Sequence, residues 1–104
     1  MKRHAFKMKL KPGMAAEYKK RHDEIWPQLA MELSAAGISD YSIFLDEETL
    51  TLFAVQKLSH GNTAVQLANS PVVRKWWDAM AHLMEVHSDN SPVVKPLHEV
   101  FHLD

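Results

Sequence analysis

ISDYSIFLDEETLTLFAVQK, residues 38–57, is the stretch whose reading decides the fold. Two runs rich in Tyr, Ile, Phe, Leu and Val, Ile38 to Asp46 and Leu50 to Lys57, flank the short polar Asp46-Glu47-Glu48-Thr49. That pattern predicts an antiparallel hairpin. Tyr41, Ile43 and Leu45 share one face of the first strand, and Leu50, Leu52 and Ala54 share one face of the second. The opposite faces are also largely apolar. A sheet covered on one side has no need of that, so the second face is expected to meet another surface.

Upstream of the hairpin, residues 3–11 alternate as a strand, with His4, Phe6, Met8 and Leu10 on one side and Arg3, Lys7 and Lys9 on the other. Pro12-Gly13 ends it. Glu17 to Leu29, EYKKRHDEIWPQL, reads as an amphipathic helix that runs to about Ala36 and stops at Gly37. Tyr18, His22, Ile25, Leu29 and Leu33 would share its inner face, but Pro27 falls in the middle. A mid-helix proline removes a backbone donor and pushes its predecessor, here Trp26, away from helical angles, so a kink is expected.

Downstream, residues 59–69 hold a loop or short helix. Ser70-Pro71 then marks a helix start, an N-cap residue followed by proline at the first helical position. Val72, Val73, Trp76, Met80, Leu83 and Met84 form its inner stripe, with Trp77 at the edge. SDNSP, residues 88–92, is turn chemistry, and a last strand is expected from about Pro96 to Leu103. The order is strand, helix, strand, strand, helix, strand. This is the α+β, ferredoxin-like βαββαβ arrangement, a four-stranded antiparallel sheet with both helices on one face. Two copies packing their open sheet faces together would make a dimeric α/β-barrel.

The totals bound the function. The 104 residues, 46% of them hydrophobic, suit one compact domain spanning residues 1–104. Twelve basic against thirteen acidic residues give a net charge of −1, so no global field points to nucleic acid or an anionic membrane. Eight of the basic residues lie in the first twenty-one positions, where Arg3, Lys7, Lys9 and Lys11 alternate as a solvated strand face. With no cysteine there are no disulfides or thiolate metal sites, which fits a reducing, cytoplasmic setting. The N-terminal residues carry no continuous apolar run of the kind a signal peptide or membrane span needs.

Chemistry must come from the side chains, and three candidates stand out. His22 can take and give a proton near neutral pH. A core-edge histidine is ordinarily satisfied by backbone alone, but here Tyr18 lies one turn away on the same face. Trp76 and Trp77 project about 100° apart on a helix; such pairs are often plain core, yet one of them can also wall a cavity for a flat or C–H-rich ligand. Tyr41 points inward, and a buried phenol needs a polar partner. Seven histidines invite a search for a metal site. His98 and His102 would stand roughly 13 Å apart on a strand, too far to share an ion, and His82 and His87 do not share a helix face. No metal and no cofactor is expected. There is no GxSxG elbow, and three glycines form no phosphate-cradling loop.

The segments EYKKRHDEIWPQL, GISDYSIFLD and VVRKWWDAM, with NSPV and the ending EVFHLD, resemble the L-rhamnose mutarotase family over essentially the whole chain. The resemblance implies a dimeric α/β-barrel that interconverts the α and β anomers of L-rhamnose without metal or organic cofactor. It also implies His22 as proton donor and Tyr18, Tyr41, Trp76 and Trp77 as sugar-binding residues. The partners implied are a small-molecule sugar and a second copy of the chain, with no nucleic acid and no membrane. Fold alone leaves two other classes open, a cofactor-free monooxygenase or isomerase of aromatic compounds and a non-catalytic ligand-binding or dimerisation module.

Overall fold

The computed structural model describes residues 1–104. Its elements are β1 (Lys2–Lys9), α1 (Ala15–Asp23), α2 (Pro27–Ala35), β2 (Ile38–Asp46), β3 (Thr51–Leu58), α3 (Pro71–Met80) and a two-residue β4 (Lys95–Pro96). The strands form one sheet in the order β2-β3-β1-β4, with every neighbouring pair antiparallel. This is the split βαβ topology expected from the element order. No helix is long and apolar enough to cross a membrane.

The core lies between the sheet and the helices. Met8 and Leu10 of the first strand region and Leu52 and Ala54 of β3 face Tyr18, Met80, Leu83 and Met84. Gln56, the one buried polar side chain, takes its partner from the same sheet face, where its Oε1 lies 3.2 Å from His4 Nδ1. Ser70 caps α3 by accepting from Val73 N at 3.3 Å, and its hydroxyl donates to Glu32 of α2, tying the two helices together. The far side of the sheet keeps Phe44, Phe53 and Val55 in solvent.

Two expectations change. The single kinked helix is two helices. Glu24 N and Ile25 N turn back to Lys20 O and His22 O, at 3.0 and 3.2 Å. Trp26 is extended (φ −60°, ψ 127°), and Pro27 opens α2 at a position where its missing N–H costs nothing. The pre-proline restriction has therefore ended one helix rather than bent it. The last strand is also shorter than its alternation suggested. Past Lys95–Pro96 the backbone makes one bond to the sheet, Leu97 N to Ala5 O at 2.9 Å, the Glu99 side chain meets Arg3 of β1 at 3.2 Å, and Val100, Phe101 and Leu103 are exposed. An extended sequence pattern records a preference, and here the chain leaves the β1 edge after one further backbone bond.

Candidate active site

An open cleft of about 1080 Å³ lies between the inner sheet face and the helices, and Tyr18, His22, Tyr41, Trp76 and Trp77 all line it. Three elements bring these five residues together. Tyr18 and His22 stand one turn apart on α1, Tyr41 comes from β2, and the tryptophans come from α3. Arg21 fastens α1 to α3. Its Nη1 donates to the Ala79 carbonyl while its Nε pairs with Glu17 at 2.7 Å.

Tyr41 faces the cleft in plain alternation with Ile43 and Leu45, which line it too, and the strand is bulged just before it. The register with β3 shifts by one residue between Ser39 and Ser42, and Asp40 takes a left-handed φ of 47°. Ile38 and Tyr41 are three residues apart and would face opposite sides of a regular strand. The extra residue turns both toward the core, a common use of a bulge beside a site. Lys57 of β3 holds Asp40 at 3.4 Å.

His22 is fixed on three sides. Its Nδ1 lies 2.9 Å from the carbonyl of Tyr18. A carbonyl only accepts, so Nδ1 carries the hydrogen and the neutral ring keeps its lone pair on Nε2. The Tyr18 ring stacks at 4.3 Å with a 32° tilt, and Trp76 meets the imidazole in a T-shaped contact at 5.4 Å and 89°. Trp26 in turn packs at 5.1 Å and 86° against Trp76.

The phenols are held neutral. Tyr18 is 8% exposed, and burial, helped by the nearby Tyr41, pushes its pKa well above that of free tyrosine. Tyr41 is 38% exposed at its edge, yet protein crowding around it pushes its pKa up to about 12. A neutral phenol can both donate and accept a hydrogen bond. The floor of the cleft is apolar, from Met8, Leu52, Met80 and Met84, and Arg74 lies over the outer face of Trp77, 6.0 Å from its ring centroid. No three His, Asp or Glu side chains converge closely enough to hold a metal ion.

All five sequence-derived residues thus meet in one place. Sequence marks Trp26 only as the residue displaced by proline; its contact with Trp76 follows from the full helix break. The bulge was not foreseen; an aspartate, tolerant of left-handed angles, was its one local signal.

The chain is 59% identical to an L-rhamnose mutarotase of Bacteroides thetaiotaomicron over the full length of both, and 59% identical to one of Flavobacterium johnsoniae, covering 98% of this chain and 95% of that protein. The crystal structure of an L-rhamnose mutarotase from Formosa agariphila superposes with a TM-score of 0.94 at 54% identity, covering all of both chains. A conserved protein from Methanosarcina mazei shares the fold at 14% identity and a TM-score of 0.60, over 93% of this chain and 90% of that one. The sequence profile described as L-rhamnose mutarotase matches residues 3–103, and the chain belongs to that family.

Proposed function

We propose that the chain interconverts the α and β anomers of L-rhamnose and that His22 moves the proton. The carrying observation is the Nδ1–H···O=C bond from His22 to Tyr18, which leaves Nε2 unprotonated in the neutral ring. In ring opening, Nε2 accepts the proton of the anomeric hydroxyl. The C1–O5 bond breaks with its electron pair going to O5, and the O1 electrons form the aldehyde C=O. The imidazolium then returns its proton to O5, directly or through a water. Rotation about C1–C2 presents the other aldehyde face, and the same steps run backwards. One group thus acts as base and then as acid, as microscopic reversibility requires. No atom changes oxidation state.

The neutral hydroxyls of Tyr18 and Tyr41 are suited to orient the sugar and to donate to the oxygen that gains charge. The tryptophans and the apolar floor suit the C–H face and the 6-deoxy methyl. The protein is expected to act in the cytoplasm as a homodimer. The supporting features are the exposed Phe44, Phe53 and Val55 on the sheet and the exposed Val100, Phe101 and Leu103 beyond β4, which together are too apolar to be a plain solvent face.

Saturation-transfer NMR on L-rhamnose tests the activity. The wild-type chain should speed anomer exchange in proportion to its concentration. Calorimetric binding with exchange at the solvent rate would make the chain a sugar-binding module instead.

A further inference from the structure

We infer that Trp26 is a positioning residue for His22, acting through Trp76. Trp26 does not line the sugar cleft. It lies on the other side of Trp76, beside a shallow groove of about 290 Å³ walled by Glu17, Arg21 and Ala79. Trp76 lines both spaces and is therefore the partition between them. A partition ring supported only from the cleft would be free to tilt outward. Trp26 supplies the outer support, ring edge against ring at 5.1 Å and 86°, a contact that is directional because it depends on the quadrupoles of both rings.

Trp76 passes that constraint on. It meets His22 at 5.4 Å and 89°, and the Tyr18 ring packs on the same imidazole at 4.3 Å. The terminal torsion of a histidine is broad, so the Nδ1 bond to the Tyr18 carbonyl holds only while neighbours keep the ring in plane with it. Trp26 itself is held at both ends. Ile25 N is bonded to His22 O at 3.2 Å, Pro27 confines Trp26 to its extended conformation, and Trp26 O accepts from Ala30 N at 3.1 Å. The break between α1 and α2 thereby turns a 36% exposed tryptophan back onto the site.

The inference rests on the role proposed for His22. His22→Ala tests that role by removing the group, whereas changes at Trp26 leave the group in place and alter only its orientation. The experiment compares Trp26→Phe, which keeps a ring, with Trp26→Leu, which keeps apolar bulk without one. L-Rhamnose anomer exchange is measured by saturation transfer, and the His22 tautomer by ¹⁵N NMR of the imidazole. Trp26→Phe should stay within about threefold of wild type, while Trp26→Leu loses about tenfold in kcat, the scale expected when a reacting group is misplaced by a fraction of an ångström. KM should change less than about twofold, since no sugar contact is removed. The single Nδ1–H tautomer should persist in the Phe variant and become a mixture in the Leu variant. Equal kcat values for the two variants, an unchanged tautomer in Trp26→Leu, or a loss confined to KM or to melting temperature would each overturn the inference.

Discussion

Raising the pH reads the cleft directly, because the chain contains two tyrosines and both line it. A free tyrosine titrates near 10, so at pH 11 about nine-tenths of an unfolded population is phenolate. Tyr41, pushed up to about 12, should then be only about one-tenth ionised, and Tyr18, held higher still, less than that. The sign for stability follows from proton binding. Above pH 10 the unfolded chain releases protons that the folded chain retains, so stability is intact below about 10 and falls as pH climbs toward the folded values. Tyr18 alone should contribute a slope of about 1.4 kcal/mol per pH unit over that window; Tyr41 adds less, because its exposed edge lets solvent screen the shift. The assay is ultraviolet difference absorbance near the tyrosinate band, run beside near-ultraviolet circular dichroism. Tyrosinate should appear late and together with unfolding. Half of the signal titrating near pH 10 in a folded protein would refute the claim that both hydroxyls are kept neutral.

Three further changes have definite outcomes. Gly37 has φ +91°, and a Cβ there would lie 2.8 Å from Asn62 Cβ and 3.2 Å from its Cα, so Gly37→Ala should cost at least about 2 kcal/mol by denaturant titration. Pro27→Ala should cost about 0.5–1 kcal/mol through the unfolded chain without fusing α1 and α2, because a continuous helix would pull the buried Leu29 from the core. By freeing Trp26, the same change should lower anomer exchange more than the melting shift explains; equal losses would show the break to be packing alone. In the proposed homodimer, Phe101→Asp with Val100→Asp should shift the sedimentation coefficient from dimer to monomer, and an unchanged value would exclude the C-terminal segment from that proposed interface.

The sheet was legible because its strands alternate strictly. Met8 and Leu10, and Leu52 and Ala54, are predicted inward by period two and are all buried in the core between sheet and helices. The start of α3 was legible from Ser70-Pro71, whose chemistry is local. What failed to show depended on distant partners. Pro27 announces a disturbance, but whether a helix bends or ends there depends on how Leu29 and Trp26 pack against the rest. The residues after Pro96 alternate like a strand because alternation records a preference, but they leave the β1 edge after Leu97. At the site, Tyr18 and His22 were linked by spacing alone, and Trp76 and Trp77 by adjacency. Tyr41 was placed on the same side by its alternation with Ile43 and Leu45, whereas the inward turn of Ile38 required a register shift. The tautomer of His22 was outside the reach of sequence, since it depends on which ring nitrogen meets a carbonyl.

His22 is the group proposed to move the proton. The most direct measurement is the rate of L-rhamnose anomer exchange by saturation-transfer NMR, with wild type and His22→Ala at equal folded concentration. Positioned acid–base catalysis predicts a loss of at least about a hundredfold. Exchange by a folded His22→Ala protein within about threefold of wild type would contradict it, since removing the acid–base group would then barely change the rate.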